Sequence, residues 1–280
     1  MLHYSHLFRQ RAVDGFALIA ALLCAWPLGA QIDLALAPMR VEFPATPGRA
    51  FSGTVVLTNG AVKTRIRAEL LDLYIDETTT PQFVANAPAE AKYSCRSWLS
   101  VNPMEVEMDG RTQVPVRFTV RVPASASDGS FHCAIGFRSL PTDTEAEGTM
   151  MRTAVRMIET IYPIVGKVPV SGAIKELKLE QVSGGDAVLW RAVVIMENTG
   201  LMFYRPTGDL ELVDADGKVV ESQKLAPFPV LPERQQRFVL PLKSALTPGP
   251  YTLRARIDMG AEIQEASVAV TVDSPPQPVK

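Results

Sequence analysis

Few residues of this chain have the type and spacing that catalysis needs. Beyond residue 30 there is one histidine, His132, because His3 and His6 both precede that point. A Ser-His-Asp relay requires a carboxylate behind the imidazole and a nucleophile in front of it, and no nucleophile motif accompanies His132. Its alternation with Phe131 and Cys133 places it on the outer, solvated face of a strand. Cys95 and Cys133 with a single histidine do not make a zinc spacing. Asp214 and Asp216 could contact calcium, but Asp-Ala-Asp-Gly between two strand-like runs is first a hairpin signal. A glycosidase needs two carboxylates, yet acidic pairs occur on any surface of this size. No glycine-rich loop follows a strand and opens a helix, which leaves nucleotide binding unsupported. Aromatic residues make up 7% of the chain, too few for an obvious sugar-stacking platform. Trp98 and Trp190 sit in apolar strands and are expected in cores. Phe203 and Tyr204 occupy an unusually apolar loop, Leu201–Arg205, which reads as an interdomain seam or a partner contact. The expectation is a protein without catalytic residues, metal or cofactor.

The elements that surround these residues begin with an export signal. Arg9 and Arg11 precede an apolar run, Phe16–Ala25, and small residues close the stretch at Ala30. Positive start, apolar middle and small end describe a secretory signal peptide over residues 1–30. The run is about half of the roughly twenty residues that a membrane crossing needs. Cys24 would suggest a lipid anchor, but Leu23 stands where a small residue belongs. No other apolar stretch is long enough to span. Removing Arg9, Arg11 and Asp14 from a total of 28 basic and 30 acidic residues leaves a net charge of about −3. That balance points to neither nucleic acid nor anionic lipid as a partner. Export also makes the remaining cysteine pair, Cys95 and Cys133, a candidate disulfide. It would close a loop of about 39 residues, worth about 4 kcal/mol in the chain-entropy model. Two separate buried thiols are the alternative.

Period-two alternation dominates the rest. Val114, Val116, Phe118, Val120 and Val122 share one face of a run whose other face carries Arg117, Thr119 and Arg121. Pro115 lacks an amide donor and is expected at an edge or a strand start. Phe51, Gly53, Val55 and Leu57 form a second such row, and Phe131, Cys133, Ile135 and Phe137 a third. Turn signals separate the runs at Thr58–Gly60, Met108–Gly110, Ser127–Gly129, Asp214–Gly217 and Thr247–Gly249. Many short strands with such turns predict β-sandwiches. About seven strands precede Pro169–Gly172, the last near 150–168. Seven follow, at 173–181, 187–197, 208–213, 218–224, 234–242, 251–258 and 263–272. The prediction is an all-β chain of two immunoglobulin-like sandwiches in series, residues 31–168 and 169–273, with a disordered tail at 274–280.

Certain motifs resemble those of PapD-like periplasmic pilus chaperones. They are Pro38–Pro44 and Gly53–Asn59 for two opening strands, Val122–Phe131 through Phe137–Pro141, and the acidic loop Thr142–Gly148 before a long strand at 150–165. The second half resembles a broader set of exported bacterial Ig-like modules, through Glu197–Gly200, Arg205–Leu212, Asp216–Val219 and Pro248–Leu253. The resemblance implies that the long strand adds to a client chain by β-augmentation. Val155, Met157 and Ile161 share one of its faces and are the implied client-binding residues, with Glu159 interrupting them. It also implies two basic residues that anchor the client's terminal carboxylate. Arg40 matches the first. Glu159 stands where the family has a lysine, and a carboxylate there would repel the client's, which leaves Arg156 as the candidate second anchor.

The resulting expectation is a periplasmic, chaperone-like protein that binds an exported, pilin-like polypeptide, with an outer-membrane usher as a further partner. A structural or adhesive Ig-like component of the envelope is the alternative reading. An exported carbohydrate-binding module or enzyme is a third.

Overall fold

A computed structural model describes residues 34–76, 78–86, 92–140, 154–184 and 187–273. The expected signal peptide, the acidic loop 142–148, residues 150–153 and the tail lie outside these residues.

The described residues fold into four β-sheets with one 3-10 turn, Arg96–Trp98. The first part contains β1 (Leu34–Ala37), β2 (Arg40–Ala45), β3 (Ala50–Asn59), β4 (Thr64–Ile75), β5 (Pro81–Val84), β6 (Leu99–Asn102), β7 (Glu105–Met108), β8 (Gln113–Arg121), β9 (Gly129–Ser130), β10 (Cys133–Leu140) and β11 (Arg156–Val165). One sheet has the order β1-β3-β8-β6. The facing sheet has the order β2-β11-β10-β4-β5, with β7 also paired to β4 and β9 to β11. The second part contains β12 (Gly172–Gly184), β13 (Ala187–Asn198), β14 (Thr207–Asp214), β15 (Val219–Lys224), β16 (Gln235–Pro241), β17 (Gly249–Asp258) and β18 (Ile263–Val272). Its sheets run β12-β13-β16 and β15-β14-β17-β18. Each part is a β-sandwich, so the chain is an all-β protein of two Ig-like sandwiches. The seven strands expected after residue 172 are all present, within a few residues of the predicted bounds.

The alternation that betrayed the strands also builds the cores. Val55, Leu57, Val116, Phe118, Val120, Ile135 and Phe137 are buried between the first two sheets, each contributing about 1.5–3 kcal/mol by removal from water. Gly53 belongs to this row for a steric reason: a Cβ there would stand 2.3 Å from the Phe118 ring. Pro115 lies opposite Val56 of β3, beyond the stretch of β8 that β6 covers, where the missing amide costs no bond. In the second sandwich Val194, Met196, Leu212, Leu253 and Ile257 play the same part. A buried asparagine ends a strand in each half. The Asn59 side-chain amide donates to the carbonyls of Val62, Met108 and Asp109. That of Asn198 donates to Met202 and Val230. At the predicted hairpin, the Asp214 carboxylate accepts the amides of Asp216 and Lys218, and Gly217 takes the positive φ of 79° that the turn requires.

Cys95 and Cys133 are bonded, with Cα atoms 5.2 Å apart, and this ties the 3-10 turn to β10. The outer row of β10 corrects an expectation. Ala134 and Gly136 are buried, and His132 is 4% exposed, not solvated. The His132 backbone is held between Tyr93 and Cys95, its amide donating to Tyr93 and its carbonyl accepting from Cys95. Burial holds the imidazole down to about 3, and the positive charge of Arg234, from the second sandwich, acts in the same direction.

Two expectations follow. Replacing both Cys95 and Cys133 by alanine should lower the unfolding free energy by about 2–5 kcal/mol in urea titrations, and thiol titration of the unfolded, oxidised chain from residue 31 should find no reactive sulfur. Below its ordinary pKa of 6.5, unfolded His132 takes up a proton that the folded protein refuses. Stability should therefore fall by about 1.4 kcal/mol per pH unit as pH drops from 6.5 towards 3 on account of this group. His132→Gln should remove about one proton's worth of that slope. An unchanged slope in the variant would rule the imidazole out as its source.

Candidate functional site: the open edge of β11

The geometry of β11 follows from how the chain enters the first sandwich. β1 pairs antiparallel with β3 in one sheet, then the chain crosses at Pro38 and β2 joins the other sheet, parallel to β11. The crossing makes β2 short. Its partners on β11 run from Thr160, opposite Arg40, to Val165, opposite Ala45. On the opposite flank β10 covers Arg156–Ile161. Between Arg156 and Glu159, therefore, β11 has a partner strand on one side only among the described residues.

Hydrogen bonds show which backbone groups face which flank. Ser139 donates its amide to the Val155 carbonyl at 2.9 Å, so the odd-numbered positions bond β10. Thr160 donates its amide to the Met39 carbonyl at 3.0 Å, on the β2 flank. Strand alternation then directs the amide and carbonyl of Arg156 and Ile158 to the open side. Met39, 61% exposed, stands at the point where the edge opens.

Side chains divide into two rows. Val155, Met157, Glu159 and Ile161 share the inward row, as the sequence parity indicates. Ile161 is wholly buried opposite Cys133, Met157 packs against the core, and Val155 is half-buried. The row beside the open edge that faces away from the core is instead Arg156, Ile158, Thr160 and Tyr162. Glu159 has no exposed surface, and among the described residues neither of its oxygens has a hydrogen-bond partner. Burial pushes its carboxyl up to about 8.

Arg40 and Arg156 both project from the outer row but are not brought together. Arg40 lies opposite Thr160, four residues from Arg156, which is about 13 Å of strand. Each has its own carboxylate: Arg40 meets Glu42 at 3.0 Å and Arg156 meets Glu69 at 3.1 Å. The second pair lies across β10 because position 136 is glycine. A Cβ there would stand 2.8 Å from Leu71 and 3.0 Å from the Arg156 guanidinium. A shallow depression lined by Glu69, Leu71, Phe83, Arg138 and Arg156 occupies this part of the sheet.

The other end of the same face is covered by the second sandwich, and here a residue enters that sequence reasoning missed. Arg205 meets Glu42 at 2.5 Å and stands 4.8 Å from the centres of both the Tyr162 and Phe203 rings. Cation–π contacts of this kind are worth about 0.5–2 kcal/mol each, more where water is excluded, and the Arg205 side chain is only 13% exposed. Its signal was its place at the end of the apolar loop that already read as a seam. Leu73, Ile75 and Tyr162 of the first sandwich form a buried cluster with Phe203 and Leu231 of the second. The Ser130 hydroxyl accepts the Phe203 amide at 2.7 Å and donates to the Leu201 carbonyl at 3.1 Å. Gln236 donates to the Thr79 carbonyl, and Lys92 meets Glu233. The arrangement offers a peptide two edge positions of unpaired backbone, next to a corner of arginine and aromatic rings. No group of three or more His, Cys, Asp or Glu suited to a metal, and no helix long and apolar enough to cross a membrane, occurs among the described residues.

No family model and no curated protein sequence matches the chain. Solved structures that it is similar to include a chaperone–tip adhesin complex of CFA/I fimbriae biogenesis, at 12% identity and TM-score 0.46, covering 87% of this chain and 100% of that one. The class 5 fimbriae chaperone CfaA is similar at 13% identity and TM-score 0.44, with coverages of 87% and 100%. The Pseudomonas aeruginosa CupB2 chaperone is similar at 13% identity and TM-score 0.44, with coverages of 84% and 100%. At these identities the likeness is one of fold alone.

Proposed function

We propose that the chain is a periplasmic, chaperone-like protein that captures an exported polypeptide by strand addition along the open edge of β11. The observation that carries this reading is that, among the described residues, β11 is paired on both flanks at Thr160–Ile161 and again at Ile164–Val165, and on one flank only from Arg156 to Glu159. Unpaired edges invite pairing with another chain, and alternate side chains then select the partner. On the added strand's side, Ile158 and exposed Met39 supply apolar contact. Val155, Met157 and Ile161 act from the inward row by fixing the strand in place. Arg40 is the anchor for a terminal carboxylate, and Arg205 is placed closer to it in the fold than Arg156, since both Arg40 and Arg205 bind Glu42. A client carboxylate would displace that of Glu42. In this reading residues 1–30 are removed on export, 31–168 and 169–273 are the two folding units, and an outer-membrane usher accepts the loaded complex.

The test is backbone-specific. Ile158→Pro deletes an amide aimed at the open side and leaves the bonds to β10 untouched. It should weaken capture of the client more than tenfold with the circular dichroism spectrum and melting temperature nearly unchanged. Crosslinking in whole cells identifies the captured protein. A folded Ile158→Pro protein that captures as well as the parent would end the strand-addition reading.

A further inference from the structure

Among the described residues Glu159 is buried without a hydrogen-bond partner, on the very segment whose other flank is open. Among the described residues, β10, β2 and β1 present only apolar or neutral side chains to it. The carboxylate in the same row of the next strand, Asp72 of β4, lies opposite Cys133 and is held by Ser94 and Arg96. β10 offers Cys133, bound to Cys95, together with Ile135 and Phe137, and β2 offers Val41 and Phe43. β1 offers Leu36, β3 carries no ionisable residue, and the two of β8, Arg117 and Arg121, are exposed. The charged groups of β11 and β2, which are Arg156, Arg40 and Glu42, project from the opposite face. A carboxylate formed in such a place has no counter-charge and must reach water. Its shortest way out is past the unpaired flank. That requires the segment before Thr160 to leave β10, while β2 and β9 continue to hold residues 160–165.

We propose that Glu159 is a proton-operated latch on the open edge: protonated, it keeps Arg156–Glu159 seated on β10, and on losing its proton it frees that segment and withdraws the edge. The inference rests on the reading of this edge as the capture site for its meaning, though not for its test. Burial supports it by raising the carboxyl from its ordinary 4.5 to about 8. The sign is fixed by linkage. In the released segment the group titrates near 4.5, so between about 4.5 and 8 the seated form holds a proton that the released form has lost. Release therefore grows with rising pH across that window and levels off above it.

Amide hydrogen exchange of the full chain, corrected for the intrinsic pH dependence of exchange, reads this directly between pH 5 and 9. Opening at the Met157 and Glu159 amides should increase up to tenfold per pH unit to about pH 8 and then flatten, while the amides of Phe118 and Val120 stay level. Glu159→Gln, close in shape and without charge, should hold all four level, and Glu159→Leu serves if the glutamine variant folds poorly. Equal opening at Met157 and Phe118 would mean that the whole sandwich loosens, and unchanged opening in both variants would clear Glu159; either result overturns the latch. No client enters this measurement, so capture by the Ile158→Pro protein can fail or succeed independently of it.

Discussion

A strand inside a sheet must satisfy two rows of backbone donors and acceptors, and among the described residues β11 gains its second flank only where β2 joins it at Thr160. The rest of the first sandwich is arranged around that inequality. The crossing at Pro38 gives β1 to one sheet and β2 to the other, which leaves β2 too short to cover the start of β11. Unpaired backbone is costly when buried and tolerable only where water or another chain can reach it. Here that backbone lies at the rim of a sheet whose core is otherwise closed.

The second sandwich matters because it defines one end of the same face. Phe203, Leu231 and Arg205 cover Tyr162, Leu73 and Ile75, and Ser130 joins the two halves through three hydrogen bonds to one loop. The linker adds a steric restraint. A Cβ at Gly166 would lie 2.4 Å from the Asp128 carboxylate, so this position with φ of 70° accepts little besides glycine. The exposed ion pairs nearby contribute little by comparison, since surface pairs are worth about 0–1 kcal/mol.

Much of this was legible in the residue order, and for a definite reason. Each strand must turn an apolar row inward, so alternation located the rows of Val114–Val122, Phe51–Leu57 and Phe131–Phe137, and it assigned Glu159 to the row of Met157 and Ile161. Parity does not say which row a neighbouring element will cover. The outward row of β10 is covered, which is why His132, Ala134 and Gly136 are buried where a wet face was expected. Nor does local pattern reveal contacts between distant segments. Arg205 stood in view at the end of an apolar loop, but its partners Glu42 and Tyr162 belong to strands of the other sandwich.

The paired asparagines have a consequence of their own. Asn59 precedes a glycine and turns its amide towards three carbonyl oxygens. Hydrolysis of that amide to a carboxylate would put an acceptor where a donor is required, leaving oxygen facing oxygen in a buried position. Asn198 sits the same way against Met202 and Val230. Both halves of the molecule thus entrust a loop to a nitrogen that slow chemical ageing can remove, and folding is what shields it.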